Sequence, residues 1–275
     1  MSLSIVVTGL AFISSAWTAH AGQLAKPPAQ TQQQNQQIAP PLPEQPPVQI
    51  PPVPPRPELS VVVLDAAHGG ADSGARGDAG INESDITLEF ARNVKPALEA
   101  QNFHVVETRE DNEDPTFDDR SAVVNAQRGA VFVTLHVSST GTPGQVRVYS
   151  EPLPGDSGVQ TATSPAAPGL TAITFPSHNG MLSWDHAQEP YAAASRRLAE
   201  LVQVQLAQRF AGTSALPYTA QVRQLRTIAA PAIAVEVSSI AVTSRAQLTQ
   251  MSHDLADAIA HGIVAFRPVY EEGAR

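Results

Sequence analysis

Cysteine is absent from the 275-residue sequence, and basic residues are few. The lack of cysteine excludes a disulfide scaffold, a thiolate metal site and a cysteine nucleophile. The chain carries 17 Lys and Arg against 26 Asp and Glu, which gives a formal net charge of −9. This acidic balance argues against nucleic acid as a partner and against an anionic membrane surface.

Hydrophobic residues make up 42% of the chain, so a sizeable core can form. The length corresponds to one or two domains at roughly 100–200 residues per domain. The first 58 residues lack the pattern of a folded segment. We therefore expect one catalytic-sized domain over residues 59–270 and a short tail over residues 271–275.

The N-terminal segment, residues 1–21, contains no Lys, Arg, Asp or Glu and is mostly apolar from Ile5 to Trp17. Ala19-His20-Ala21 then has the small-x-small form of a signal-peptidase site. The segment is typical of an export signal peptide, or of a short anchor that contacts a membrane if it is left uncleaved. Because no basic residue precedes the apolar stretch, a disordered apolar N-terminus stays open as an alternative.

Residues 22–58 form a stretch rich in proline and glutamine. Twelve of the 24 prolines lie between Pro27 and Pro57. Proline fixes φ and removes a backbone donor, so we expect a disordered linker of polyproline II character, extended at about 3.1 Å per residue. Such a linker would act as a spacer between the N-terminus and the folded domain.

From Leu59 onward the pattern alternates between strands and helices. The expected strands are Ser60–Asp65, Phe103–Thr108, Ala130–Val137, Gln145–Ser150 and Pro231–Val237, the fourth as an edge strand. The expected helices start after Asn82, where Pro96 predicts a kink or an early end, and cover Phe117–Gln127, Tyr191–Phe210 and Ala246–Phe266. This order predicts an α/β fold whose ligands bind at the carboxyl ends of the strands.

The segment between Pro152 and Pro190 is rich in Pro, Gly, Ser and Thr and is too long for an ordinary connection. We expect it to be an active-site insertion or a mobile flap. Its position suggests a regulatory hypothesis, in which residues 152–190 cover the site until an activator protein displaces them.

Four residues that can bind a metal or move a proton lie at predicted strand ends or beside them. His68 follows the first strand, His136 lies in the third, Glu236 lies in the last, and Glu83 starts the first helix. Two imidazoles and a carboxylate suit Zn²⁺ with one open position. Glu83 is the better ligand because it lies beside the glycine-rich loop of His68, and Glu236, flanked by apolar residues, is the better general base. On placement alone, however, such residues are more often solvated or capping groups.

Five ordered blocks of the sequence resemble the zinc-dependent N-acetylmuramoyl-L-alanine amidases that cleave bacterial peptidoglycan. The blocks are VVLDAAHGG at 62–70 with Asp72 and Gly74, Asn82-Glu83-Ser84-Asp85, Thr108-Arg109 with Arg120 and Asn125, Val133-Thr134-Leu135-His136, and Pro231 to Glu236. The resemblance implies a mixed, mostly parallel six-stranded sheet flanked by helices, with zinc at the carboxyl ends of its strands.

The same resemblance implies roles for single residues and a location for the protein. His68, Glu83 and His136 correspond to the zinc ligands, and Glu236 corresponds to the catalytic glutamate. The bond cut would be the amide between the lactyl group of N-acetylmuramic acid and L-Ala of the stem peptide. With the export signal, this predicts a periplasmic or cell-wall enzyme of a bacterium.

The sequence departs from the family pattern next to these residues. Ala66-Ala67 precedes His68 where Pro-Gly is usual, and Val137-Ser138 follows His136 where Ala-Asn is common. The segment after Glu236 differs as well. Two alternatives therefore stay open: a non-catalytic peptidoglycan-binding or scaffold module, and a zinc amidase for another acylated amine.

Three further polar residues are expected to support the site without performing chemistry. Arg109 and Arg120 are predicted to form ion pairs with Asp114, Asp118 or Asp119. Asp65 is predicted to orient His68 or to cap its loop.

Overall fold

A single mixed sheet runs through the computed structural model, which describes residues 58–77, 80–153, 160–161, 183–238 and 245–273. The predicted export segment, nearly all of the linker and most of the insertion lie outside these residues. The strands are β1 (Val61–Ala66), β2 (His104–Glu107), β3 (Ala130–Ser138), β4 (Val146–Ser150), β5 (Gln160–Thr161), β6 (Tyr218–Thr219) and β7 (Ala232–Ser238).

The strand order across the sheet is β2-β1-β3-β7-β4-β6-β5. Parallel pairing joins β1 to β2, β1 to β3, β3 to β7, and β4 to β6. Only the β4–β7 and β5–β6 pairs are antiparallel within the described residues. The predicted mixed, mostly parallel sheet is confirmed, with the two-residue strand β5 added at one edge.

Strand β4 is not the edge strand that its alternating pattern predicted. It pairs with β7 on one side and with β6 on the other. The polar residues Arg147 and Tyr149 are half-buried, whereas Val146, Val148 and Ser150 are buried. The alternation therefore reflects one sheet face that is incompletely covered, and not an unpaired edge.

The helices are α1 (Glu83–Glu99), α2 (Phe117–Asn125), α3 (Ala192–Arg209), α4 (Arg223–Arg226) and α5 (Arg245–Gly273). The early end predicted for α1 is not seen, since the helix continues for three residues beyond Pro96, to Glu99. Helix α5 continues beyond the predicted Phe266 and through Pro268. None of the described helices is long and apolar enough to cross a membrane.

The two faces of the sheet are covered differently, and this positions the site. Helices α1, α3 and α5 pack on one face and build the larger core, which includes Leu64, Val133, Leu198, Ile259 and Phe266. On the other face a smaller cluster contains Val63, Phe132, Ala234, Leu225 of α4 and Val124 of α2. Since registered neighbours in a sheet point to the same face, His136, Glu236 and Arg147 also lie on this second face.

Candidate metal centre

His68 lies two residues beyond β1 in a tight loop. Its backbone has φ +64°, a left-handed conformation that is uncommon for residues other than glycine. The loop is closed by hydrogen bonds from the Gly69 amide to the Asp72 carbonyl (2.8 Å) and from the Asp72 amide to the Gly69 carbonyl (2.9 Å). The Asp72 carboxylate contacts His68 Nδ1 at 2.7 Å. The imidazole is therefore oriented from its Nδ1 side, and its Nε2 faces the site.

Glu83 is the first residue of α1, and its side chain is only 6% exposed. Its Oε2 accepts a hydrogen bond from the Ala75 amide (2.8 Å), and its Oε1 accepts one from the Val137 amide (3.0 Å). His68 Nε2 lies 3.2 Å from Oε2, and His136 Nδ1 lies 3.0 Å from Oε1. The carboxylate thus bridges the two imidazoles.

Gly74 permits this close approach. Its φ is +62°, and a Cβ at this position would lie 2.6 Å from Glu83 Oε2 and 2.6 Å from His68 Cδ2. Both the backbone conformation and the space require glycine.

His136 projects from β3 toward Glu83, and its ring meets that of His68 edge-on with centroids 5.6 Å apart. On its outer side, His136 Nε2 lies 3.3 Å from Nε2 of Gln224 in α4. The Gln224 amide can donate to a bare ring nitrogen or, after rotation, accept from a protonated one. Each imidazole therefore has its own outer polar partner, Asp72 for His68 and Gln224 for His136.

The pKa values of this cluster follow from its hydrogen bonds. Burial alone would raise the pKa of Glu83, but hydrogen bonds from His136, His68 and the Ala75 amide hold it well below its usual range. The hydrogen bond with Glu83 is the main cause that raises the pKa of His68 to about 9, with Asp72 adding to the effect and burial opposing it. Glu83 is therefore an anion at neutral pH, as a metal ligand must be.

The three residues could hold a metal ion. One ligand atom from each of His68, Glu83 and His136 lies within 4.8 Å of the others, and no other such group occurs among the described residues. Two imidazole nitrogens and one carboxylate oxygen match the three-ligand sets of catalytic zinc sites, which keep a fourth position open. The donor set and its buried carboxylate thus fit zinc.

Glu236 lies beside this group, in β7. It is the register partner of His136 in the parallel β3–β7 pair and of Arg147 in the antiparallel β4–β7 pair. Its side chain is 23% exposed, because Glu236 faces the partly open side of the sheet while its strand neighbours are buried. The apolar residues that flank Glu236 therefore bury it only in part.

Two residues next to Glu236 were missed by sequence reasoning. Arg147 Nη1 lies 3.2 Å from Glu236 Oε1, and the Tyr149 hydroxyl donates to the same oxygen at 3.3 Å. The alternating pattern of β4 places residues 147 and 149 on one face. No sequence pattern, however, predicts that β4 pairs antiparallel with β7 and so brings these residues next to Glu236.

Asp65 and Arg120 form a buried support beneath the His68 loop. Asp65 is fully buried and pairs with Arg120 Nη1, and it accepts hydrogen bonds from the hydroxyls of Thr108 (2.5 Å) and Thr134 (2.6 Å). Arg120 Nη2 donates to the His68 carbonyl at 3.0 Å. The predicted pairing of Arg120 with a loop carboxylate is wrong. Asp65 supports the backbone of His68 through Arg120, whereas Asp72 orients the ring.

Arg109 is likewise buried but binds carbonyl groups instead of the predicted carboxylates. Its guanidinium donates to Ala66 (2.7 Å), Ala67 (3.2 Å) and Ser84 (2.8 Å). Ala67 precedes His68 and Ser84 follows Glu83, so one guanidinium ties together the backbone next to both residues. Predicting such a contact requires the fold, because carbonyl acceptors carry no side-chain signature.

Comparison with known proteins identifies the family. Residues 62–265 match the family model described as N-acetylmuramoyl-L-alanine amidase. The match covers well over half of the chain, and the chain belongs to this family.

Shorter segments match individual relatives. The chain is 38% identical over 82 residues to YqiI of Bacillus subtilis and 36% identical over 83 residues to the N-acetylmuramoyl-L-alanine amidase AmiC of Neisseria meningitidis. Each alignment covers 30% of this chain, but only 39% of YqiI and 20% of AmiC. The matched segments thus span much less than two thirds of either relative.

Solved structures share the fold. An N-acetylmuramoyl-L-alanine amidase of Clostridium difficile aligns with a TM-score of 0.54 at 20% identity, over 76% of this chain and 97% of that chain. The CwlD amidase of Clostridioides difficile, in complex with the GerS lipoprotein, aligns with a TM-score of 0.56 at 16% identity, over 76% and 99%. At these identities the likeness concerns the fold.

Proposed function

We propose that the chain is a zinc-dependent amidase that hydrolyses the amide between the lactyl group of N-acetylmuramic acid and L-Ala of the peptidoglycan stem peptide. The observation that carries this proposal is the pairing of β3 with β7, which places a candidate metal ligand beside a carboxylate. His136, one of three residues that could hold a metal, is the direct register partner of Glu236. A metal-binding group beside a carboxylate is the arrangement that metal-assisted hydrolysis requires.

His68, Glu83 and His136 would hold the ion. When bound, zinc supplies Lewis acidity, which polarises the carbonyl of the amide and lowers the pKa of water. Glu83 would contribute the anionic ligand, Arg109 holds the Ser84 carbonyl next to it, and Arg120 holds the His68 carbonyl. The ligands are thus supported before any ion binds, which limits the reorganisation that binding requires.

Glu236 would serve as the general base and then as the general acid. Its carboxylate accepts one proton from the attacking water while the water oxygen forms a bond to the lactyl carbonyl carbon. It then returns this proton to the nitrogen of L-Ala as the C–N bond breaks. The products are a lactyl carboxylic acid, which ionises by losing the second proton of the water to solvent, and a stem peptide with a free amine, and Glu236 is regenerated.

Export to the cell envelope follows from this substrate, since peptidoglycan lies outside the cytoplasmic membrane. The uncharged apolar stretch at residues 1–21 supports export, and the linker at 22–58 would hold the domain away from the N-terminus. A protein activator that acts on residues 152–190 stays a prediction, because residues 154–159 and 162–182 lie outside the described part of the chain.

The test is a digestion of purified bacterial peptidoglycan by the full chain with zinc, followed by mass spectrometry. We expect intact stem peptides with a free L-Ala amine. Glu236→Gln should lower their release about 100- to 10,000-fold, as loss of a general acid–base group does, and a chelator should abolish it. Glu99→Gln, exposed at the end of α1, should leave release unchanged. Zinc binding without release from a folded protein would instead favour a non-catalytic peptidoglycan-binding module. Cleavage of other acylated amines alone would favour an amidase of different specificity.

A further inference from the structure

The strand β4 brings two polar side chains against the carboxylate proposed as the general base. Arg147 lies directly opposite Glu236 in the β4–β7 pair, and Tyr149 lies two residues further along the same face. His136 lies on the other side of Glu236, in the β3–β7 pair. Glu236 therefore stands in the middle of a row, between a candidate metal ligand and a guanidinium.

Both β4 side chains contact the same oxygen of Glu236. Arg147 Nη1 lies 3.2 Å from Oε1, and the Tyr149 hydroxyl lies 3.3 Å from Oε1. Burial raises the pKa of Tyr149 above its ordinary value, so its hydroxyl keeps its proton and donates. Among the described residues no donor contacts Oε2 of Glu236. Within the described part of the chain, Oε1 is thus engaged by two donors and Oε2 by none.

The guanidinium itself is held in place. Its Cζ lies 6.0 Å from the ring centroid of Tyr218, and that ring packs against Tyr149 with centroids 5.5 Å apart. Gly141, with φ +99°, leaves room for it, because a Cβ there would lie 2.9 Å from Arg147 Nη2. A charged group confined by a facing carboxylate, an aromatic ring and a glycine has little freedom to leave Oε1.

We propose that Arg147 and Tyr149 are positioning residues, which hold Oε1 of Glu236 and thereby present Oε2 as the oxygen that exchanges the proton. This inference rests on the proposed function. A terminal carboxylate torsion is otherwise broad and nearly two-fold, so two donors on one oxygen select one orientation. In the hydrolysis described above, Oε2 accepts the proton of the water and delivers it to the L-Ala nitrogen, while Oε1 keeps its two hydrogen bonds.

The experiment compares Arg147→Met, Arg147→Lys and Tyr149→Phe in the full chain with zinc. Arg147→Met should lower kcat about 10- to 100-fold, since misplacement of a catalytic group by about 1 Å can cost this much. KM should change less than about threefold, because the residue acts through Glu236 and not on the substrate. Arg147→Lys should restore part of kcat, and Tyr149→Phe should cost about 2- to 10-fold, as expected for one hydrogen bond.

A double variant separates positioning from a structural role. In the Glu236→Gln background, Arg147→Met should cause less than about a twofold further loss, because the group through which it acts is gone. Arg197→Met is the matched control, since it removes an arginine from a surface ion pair on α3 and should leave kcat unchanged. Zinc content and thermal unfolding midpoint, measured on every variant, identify any loss that comes from misfolding.

Different results overturn different claims. If wild type is active and Glu236→Gln is strongly impaired, but folded Arg147→Met keeps kcat within about twofold, the positioning role is wrong. A rise in KM with unchanged kcat would assign Arg147 to substrate binding and also overturn it. If wild type with bound zinc releases no stem peptide, the proposed function fails, and this inference falls with it.

Discussion

Replacing Asp65 by Asn should strongly destabilise the domain, because it leaves a buried arginine without its counter-ion. Asp65 is fully buried, and the Arg120 side chain that pairs with it is only 6% exposed. Breaking one half of a buried ion pair typically costs about 3–5 kcal/mol. Arg120 keeps hydrogen bonds to the carbonyls of Ala66, His68 and Pro115, so we expect the lower part of this range.

The assay is urea unfolding, followed by circular dichroism in the presence of a chelator, so that zinc binding does not contribute to stability. A loss of about 3 kcal/mol should lower the unfolding midpoint by roughly 1–3 M urea at the m-values usual for small proteins. Arg197→Met is the control, since exposed ion pairs contribute only about 0–1 kcal/mol. A loss below about 1 kcal/mol in Asp65→Asn would refute the role of Asp65 as the essential counter-ion of Arg120.

Three further predictions concern metal binding. Asp72→Asn should weaken zinc binding about 10- to 100-fold, because an outer carboxylate orients the ligand His68, and calorimetry in a zinc buffer measures the change. Gly74→Ala should weaken zinc binding as well, since its methyl group would collide with Glu83 and His68; equal affinity in a folded variant would contradict this. Zinc must displace the proton of His68, whose pKa is raised to about 9, so apparent affinity should rise about tenfold per pH unit up to that pH and then level off. An affinity that is flat between pH 7 and pH 9 would contradict this last prediction.

The sheet, and the approach of His68 and His136 to each other at one edge of it, could be predicted because both depend on the pattern of apolar residues within single strands and helices. Apolar runs that alternate with amphipathic segments indicate parallel strands joined by helices, and parallel strands share one carboxyl edge. His68 and His136 lie at that edge whatever the details of the loops. Glu83 could be added because the glycine-rich loop before it is short enough to return α1 to the same edge.

The supporting contacts could not be predicted because they join residues far apart in the chain. Asp65 and Arg120 are 55 residues apart, and their pairing depends on where α2 packs. Gln224 reaches His136 from a four-residue helix that has no periodic pattern of its own. Such contacts depend on tertiary geometry, whereas the nearby acidic residues that were expected to pair with Arg120 are simply its neighbours in sequence.

The antiparallel direction of β4 explains why the contacts of Glu236 with Arg147 and Tyr149 could not be predicted. Its alternating residues indicate a strand with one partly open face, but they do not say which neighbours it has. Antiparallel pairing with β7 puts Arg147 opposite Glu236, and parallel pairing with β6 puts Tyr218 against Tyr149. The polar side of this strand therefore faces the candidate site, where the edge-strand prediction would have left it in solvent.

The central claim is that the chain cuts one particular amide, and isotope labelling tests it most directly. Peptidoglycan is digested with the full chain and zinc in water enriched in oxygen-18, and the glycan is then cleaved by a muramidase for mass spectrometry. Hydrolysis at the proposed bond predicts one labelled oxygen in the lactyl carboxylate of N-acetylmuramic acid and none in the released stem peptide. Label in a peptide carboxylate, or an unlabelled lactyl group still joined to L-Ala, would contradict the account.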